Sequence, residues 1–226
     1  MYNLDQEVVW RFHDVLEGGH VEEKDLYEGL SDADRYLIVT EGSSDSSILS
    51  ASLPLVEPEV ADFFHFVDMK DNYPFTGTGN LVNFCKGLAA IRVSNKIVVV
   101  LDNDTAGRDA LQRLRALALP SNMRITALPE LDELKRFTTL GPSGHATEDI
   151  NGRAAAMECF LDLAFGPGAT PAVRWTVFNA SQGAYQGELV NKDAYTRAFF
   201  ANSRRGNYDL RKLAILWAHI LTVCAS

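Results

Sequence analysis

Short, uninterrupted apolar stretches alternate with amphipathic stretches through the middle of the chain. Apolar stretches of this length are typical of strands buried on both faces of a parallel sheet, whereas apolar residues three and four positions apart predict helices. The alternation predicts an α/β fold, with a mainly parallel four-stranded sheet flanked by helices. Strands are predicted at 36–41, 63–67, 96–101 and 123–128, and helices at 46–53, 80–91 and 105–117.

The pattern changes after Pro129. We predict a polar loop at 131–144, a helix from Thr147 to about Phe165, a strand at 174–178, and helices at 192–201 and 208–223. Helical spacing is also present in residues 1–34. We therefore expect helical N- and C-terminal extensions around the sheet. The predicted division is an acidic helical appendage at 1–34, a catalytic domain at 35–165, and a C-terminal strand with a helical extension at 166–226, packed on the core.

Acidic residues follow two of the predicted strands directly. Glu41 ends the first strand, with Asp45 one helical turn later, and Asp102 and Asp104 follow the strand KIVVVL. Parallel strands deliver such residues to the open edge of a sheet, where α/β proteins place their chemistry. Converging carboxylates repel one another unless a cation lies between them, and oxygen ligands of this type suit Mg²⁺ or Mn²⁺. An alternative for Asp45 is a helix cap.

These residues resemble the Toprim family, the catalytic fold of topoisomerases, bacterial primases and overcoming-lysogenization-defect nucleases. The family pattern of a strand ending in Glu-Gly and a later strand ending in Asp-x-Asp is present as Glu41-Gly42 and Asp102-Asn103-Asp104. A narrower resemblance is to the Toprim part of bacterial HEPN/Toprim proteins, carried by YLIVTEGSSD, VVVLDNDTAGR, GHATEDINGRAAAMECFLDL and AYQGELVNKDAYTRAF. It covers residues 35 to about 200, and it implies an upstream HEPN region that this chain lacks.

The resemblance implies an Mg²⁺- or Mn²⁺-dependent nuclease acting on DNA or RNA, with a role in anti-phage or foreign nucleic-acid defence. We expect Asp45, Asp102 and Asp104 to bind the metal and to be central to catalysis, and Glu41 either to bind a second ion or to act as a general acid or base. Toprim proteins commonly carry a further carboxylate after the fourth strand, for which Glu148 or Asp149 is the candidate. Lys192, in the family-like segment YQGELVNK, is the expected basic catalytic residue, in contact with the phosphate or the transition state. Arg108, Lys135 and Arg136 are expected to contact nucleic acid.

Charge is distributed unevenly along the chain. Residues 1–34 hold ten acidic and two basic residues, so most of the net charge of −9 lies there. The remainder is nearly neutral, which is compatible with a nucleic-acid substrate but argues against tight, sequence-blind electrostatic binding. We expect a cytoplasmic protein without membrane contact, and homo-oligomers are compatible with the sequence.

Three other functions use similar residues. A primase-like nucleotidyl transferase would need a basic template-binding domain and a zinc module, and a noncatalytic Toprim interaction module would tolerate loss of the acidic residues. A haloacid-type phosphatase would need its Asp-x-Asp on the first strand and a hydroxyl residue where this chain has Ala106. No tyrosine carries a signature of a topoisomerase nucleophile.

Overall fold

The computed structural model describes residues 35–67, 78–142, 144–165, 168 and 170–226, and the predicted appendage at 1–34 lies outside them. The described strands are β1 (Tyr36–Val39), β2 (Phe64–Phe66), β3 (Lys96–Leu101), β4 (Asn103–Asp104), β5 (Met123–Ala127), β6 (Phe137–Gly141), β7 (Gly144–Glu148), β8 (Ala154–Ala155), β9 (Val173–Asn179) and β10 (Ala184–Leu189). The described helices are α1 (Ser43–Val56), α2 (Thr78–Ala90), α3 (Thr105–Arg115), α4 (Lys192–Asn202) and α5 (Arg211–Ala225). None of these helices is long and apolar enough to cross a bilayer.

A four-stranded sheet in the order β2-β1-β3-β5 forms the centre of the fold, and all its strand pairs are parallel. Helices pack on both of its faces. This confirms the predicted α/β fold with a parallel four-stranded sheet. Helix α1 extends to Val56, past the end predicted at Leu53, and Pro54 is accommodated inside its last turn.

The central strand β3 explains why its sequence is apolar without interruption. Alternate side chains of a strand point to opposite faces. Val98 and Val100 belong to the core that includes α1 and α5, whereas Ile97, Val99 and Leu101 belong to the core that includes α2 and α3. All five are buried, because helices cover both faces of the sheet.

A second sheet, in the order β10-β9-β6-β7, lies beyond the parallel sheet along the chain. The pairs β6–β7 and β9–β10 are antiparallel, and β6 and β9 are parallel. Its strands come from both sides of residue 165. The sequence predicted only one of these four strands, at 174–178.

Two sequence predictions in this region are wrong. The predicted loop at 131–144 contains a short 3-10 helix, Asp132–Arg136, and strand β6, and the predicted helix from Thr147 to Phe165 is replaced by the end of β7, strand β8 and two 3-10 helices, Met157–Phe160 and Leu163–Phe165. The apolar spacing that suggests a helix arises because nearly all residues from 150 to 161 are buried. Gly152 has a φ of 72°, in the left-handed region that an α-helix does not use.

Candidate functional site

The carboxyl ends of β1 and β3 lie side by side, because Val39 pairs with Val99 in parallel register. Glu41 and Asp102, which follow these strands, are therefore neighbours. The backbone N–H of Asp102 donates to Oε1 of Glu41 at 3.1 Å. Parallel pairing thus brings together two carboxylates that are about sixty positions apart, as the sequence predicted.

Asp104 caps helix α3 and is held through both of its carboxylate oxygens. The backbone N–H of Gly107 donates to Oδ1 at 2.7 Å, and Nε2 of Gln186, on β10, donates to Oδ2. The carbonyl oxygen of the same Gln186 accepts from the hydroxyl of Thr105 and from the backbone N–H of Ala106. Because two donors fix the carbonyl end, the amide group can only point toward Asp104. The sequence analysis missed Gln186, which lies on a strand that it did not predict.

Gly107 forms a wall of the site. A Cβ atom added at this position would lie 2.1 Å from the backbone oxygen of Asp102 and 3.1 Å from Oε1 of Glu41. Helix α3 therefore packs against the ends of both strands at a distance that only glycine allows. Since its N–H also holds Asp104, Gly107 contacts or binds three of the predicted acidic residues.

Asp45 lies in the first turn of α1, where its Oδ2 accepts from the backbone N–H of Gly42 at 3.1 Å. It has the capping role considered in the sequence analysis, and it also belongs to the acidic cluster. Its charge raises the pKa of Asp102 and of Glu41.

Glu158 is a fifth carboxylate, which the sequence analysis missed. It lies in the 3-10 helix Met157–Phe160 and is 6% exposed. The neighbouring backbone N–H of Met157 donates to Oδ1 of Asp102 at 3.1 Å, and the buried Lys212 donates to the backbone oxygen of Cys159 at 2.8 Å. The signal in the sequence is a carboxylate inside the apolar run MECFLDL, and the amphipathic helix predicted for this segment obscures it.

We refer to Glu41, Asp45, Asp102, Asp104 and Glu158 as the acidic cluster. Burial raises the pKa of each of them. The pKa of Glu41 rises to about 8, through burial and then the charge of Asp104, and that of Asp45 rises to about 7, through burial and then the charge of Glu158. The pKa of Asp102 lies well above its ordinary value, because of burial and then its four acidic neighbours. Hydrogen bonds from Gly107 and Gln186 oppose the rise in the pKa of Asp104.

Lys192, predicted as a catalytic residue, lies at the rim of the acidic cluster. Its Nζ forms an ion pair with Glu188 at 3.1 Å, and its charge lowers the pKa of both Asp45 and Glu158. Burial alone would lower the pKa of Lys192, but the bond to Glu188 and the charge of Glu158 raise it overall. Lys192 is therefore a cation whose charge reaches the cluster.

The structure does not bring Glu148 and Asp149 to the cluster. Glu148 ends β7 and accepts from Oγ1 of Thr139 at 2.6 Å and from Nε1 of Trp175 at 2.8 Å, with Arg153 at 3.5 Å. These hydrogen bonds, from Thr139 first, lower its pKa. Asp149 accepts from the backbone and side-chain nitrogens of Asn151, each at 2.9 Å. Glu148 is therefore hydrogen-bonded within the second sheet, and Asp149 within the segment that follows β7.

The other predicted basic contacts are exposed. The guanidinium of Arg108 lies against Gly152, where an added Cβ would be 2.1 Å from Nη1. Lys135 pairs with Asp132 at 2.7 Å, and Arg136 ends the same 3-10 helix. Whether they bind nucleic acid stays a prediction.

The described side chains are not arranged as a complete coordination shell for a metal ion. Among the described residues, no three His, Cys, Asp or Glu side chains are arranged so that they could hold one ion together. One oxygen each of Glu41, Asp45 and Asp102 accepts from backbone N–H groups, and in the described part of the chain the second oxygen of each has no hydrogen bond. The donor chemistry thus suits a hard divalent cation, although small side-chain rotations would be needed to close around it.

Fold and geometry together define an acidic site at the carboxyl edge of a parallel α/β sheet. A scan of protein-family models finds none that matches the chain, and searches among curated proteins and solved structures find no significant match. The Toprim resemblance therefore rests on the motifs and stays a proposal.

Proposed function

We propose that the protein is a metal-dependent phosphodiesterase of Toprim type that cleaves DNA or RNA. The observation that supports this most directly is the acidic cluster at the ends of β1 and β3. Burial raises the pKa of all five carboxylates, and the charges of other cluster members raise it further for Glu41, Asp45 and Asp102, so the arrangement is energetically costly. Such costs are typical of sites whose function requires them.

Mg²⁺ or Mn²⁺ is the proposed cofactor. Asp45, Asp102 and Glu158 would hold it, with Glu41 and Asp104 beside them, and Glu158 takes the role that the sequence analysis gave to Glu148 or Asp149. When bound, the ion would neutralise charge on the phosphate and lower the pKa of the attacking water. Gln186 and Gly107 would hold the carboxylate of Asp104 in position, and the backbone N–H of Met157 would hold the carboxylate of Asp102.

Two side chains are suited to work on the phosphate itself. Glu41, with a pKa raised to about 8, would accept or return a proton near neutral pH, where a general acid or base is most effective. Lys192 would contact a phosphate oxygen from the rim of the cluster, after exchanging its partner Glu188. The motif resemblance to HEPN/Toprim proteins supports a role in defence against foreign nucleic acid, by analogy alone.

The test is cleavage of labelled single- and double-stranded DNA and RNA with Mg²⁺, Mn²⁺ or EDTA. Glu41→Gln and Asp102→Asn should each lower the rate about 10³-fold, because the first removes the proposed proton-transfer group and the second removes a charged metal ligand. Glu148→Gln is the matched control, a carboxylate outside the cluster, and should cleave at close to the wild-type rate.

Two results would contradict the proposal. One is the absence of metal-dependent cleavage together with the absence of any Mg²⁺-induced rise in Tm that needs Asp102 and Asp104. That result would favour a noncatalytic interaction module. The other is cleavage that survives both cluster substitutions.

A further inference from the structure

A groove between α1 and α4 opens beside the acidic cluster. Its cavity has a volume of about 820 Å³, and it begins at Ser43, two residues after Glu41. Clefts of this size are typical of ligand sites. The described lining residues are Ser43, Ser44, Ser46, Ser47, Ser50, Ala51, Pro54, Phe66, Phe200 and Arg204.

Hydroxyl groups dominate the α1 wall of the groove. Ser43, Ser47 and Ser50 are three or four positions apart, so they follow one face of the helix over about 10 Å. Of the five lining serines, Ser46 is buried and donates to the backbone oxygen of Val67 at 3.0 Å. The others have some exposure and no side-chain hydrogen bond in the described part of the chain, so their hydroxyls are available to a ligand.

The opposite wall carries a cation and an aromatic ring. Arg204 follows α4 by two residues and is exposed, and Phe200 is 50% exposed. Phe200 lies eight positions after Lys192 on α4, so the helix carries the groove wall about 12 Å along its axis from the rim of the acidic cluster. Among the described lining residues Arg204 is the charged side chain, and it can pair with an anionic group of a ligand.

We propose that this groove binds an unpaired stretch of the nucleic-acid substrate, with phosphates on the serine hydroxyls and Arg204 and a base stacked on Phe200. Arginine and hydroxyl groups are common partners of phosphate oxygens. An aromatic ring that must stack on a base requires a base free of its own helix, which selects single strands or frayed ends over an intact duplex. This inference rests on the proposed function and specifies its substrate class.

The experiment measures binding of labelled oligonucleotides by fluorescence anisotropy. The full chain in an Asp102→Asn background, with Mg²⁺ present, keeps the groove while removing the proposed cleavage. The probes are single-stranded DNA and RNA of about 12 nucleotides, within the usual site size of single-strand binders, and the corresponding duplexes. Tm values of all variants establish that they are folded.

Three substitutions should weaken single-strand binding. Phe200→Ala should do so at least about fivefold, as loss of base stacking predicts. Arg204→Ala should weaken it several-fold and reduce the slope of log K against log salt by about 0.7, the value for one phosphate contact on a single strand. Combining Ser47→Ala with Ser50→Ala should have a smaller effect in the same direction.

Matched controls exist for both side chains. Arg205 is exposed beside Arg204 but does not line the groove, and Phe178 is 51% exposed on β9, away from it. Arg205→Ala and Phe178→Ala should bind as the parent does. Wild-type binding by Phe200→Ala and Arg204→Ala, equal losses in the controls, equal affinity for the duplex, or no measurable binding by the parent would each overturn the proposal.

The same variants, placed in the wild-type background, separate this proposal from the proposed function. Suppose cleavage requires the acidic cluster but KM is unchanged in Phe200→Ala and Arg204→Ala. The proposed nuclease function would then stand, and the groove would have no part in substrate binding. Single-strand binding that depends on both residues, without any cleavage, would support the binding groove and contradict the proposed nuclease function.

Discussion

Glu41 and Glu148 both lie at the carboxyl end of a strand, yet their surroundings are opposite. Glu41 follows β1 of the parallel sheet, where Asp45, Asp102 and Asp104 lie near it, and its pKa rises to about 8. Glu148 ends β7 of the second sheet, and three donors lower its pKa. A carboxylate that the fold satisfies contributes to stability, whereas a group of carboxylates that the fold forces together costs stability until a cation arrives.

The largest effect is expected from Gly107→Ala, which tests how closely helix α3 packs against Glu41 and Asp102. The new Cβ would lie 2.1 Å from the backbone oxygen of Asp102, so α3 must move away from the strand ends. We expect a loss on the order of 3 kcal/mol in the free energy of unfolding. Chemical denaturation measures it. Gly87→Ala, where nothing lies within 4 Å, should instead stabilise helix α2 by about 0.5–1 kcal/mol; equal losses in both variants would contradict the packing described.

Glu41→Gln should stabilise the metal-free protein at pH 8.5 by a few kcal/mol. The amide can still accept from the backbone N–H of Asp102, so mainly the charge is removed. Because the folded pKa of about 8 exceeds the ordinary 4.5, ionisation of Glu41 costs stability as pH rises from 4.5 through 8, and the advantage of the variant grows over that window. Thermal unfolding in EDTA across this range is the measurement. A destabilised variant at pH 8.5 would mean that Glu41 is not repelled.

Gln186→Ala tests the contribution of the second sheet to the acidic cluster. Losing the amide frees Oδ2 of Asp104 and removes the acceptor for Thr105 and Ala106. Mg²⁺ affinity should fall about 10-fold, the smaller end of the range for groups that orient metal ligands. Calorimetric titration with Mg²⁺ checks this. Gln182→Ala, which removes a surface bond to Gln112, should leave the affinity unchanged.

Glu148→Gln should have the opposite sign to Glu41→Gln, with a loss of about 1 kcal/mol. Hydrogen bonds to a charged acceptor are stronger than those to a neutral one, and Thr139 and Trp175 both donate to this carboxylate. Its folded pKa is lowered, so the contribution is present above pH 4.5 and is lost as pH falls through the folded value. Denaturation at pH 7 and pH 3 measures the difference, and a gain in stability at pH 7 would remove the contrast with Glu41.

The smallest effect is expected from Lys135→Ala. Its pair with Asp132 is exposed, and such pairs contribute little to stability. Tm should not change measurably, and any loss of affinity for nucleic acid would then report binding alone. A clear drop in Tm would show that the pair has a structural role.

The parallel sheet could be predicted from the sequence because the pattern that marks each of its strands is local. Strand β3 is buried on both faces, so its residues are apolar without interruption, and the acidic residues that follow it mark its end. Since parallel strands end at one edge, the nearness of Glu41 to Asp102 could be inferred before any coordinates.

The second sheet could not be predicted from the sequence in the same way. Its strands pair across long separations, and β7 is mostly exposed, so no strong apolar alternation marks it. The segment from Thr147 to Phe165 matches a helical pattern because nearly all residues from 150 to 161 are buried, and a fully buried stretch is apolar at every spacing.

The sequence alone therefore specified the α/β class, the parallel sheet and four carboxylates of the site, all properties that follow from burial and from the direction of single strands. Tertiary packing selected the remaining members. Glu158 joins the acidic cluster because the 3-10 helix Met157–Phe160 packs against Asp102. Gln186 reaches Asp104 because β10 pairs with β9 beside α3. Glu148 is left out because Thr139 and Trp175 already bind it. The position of a lone polar side chain depends on its neighbours in space, and a linear pattern does not contain them.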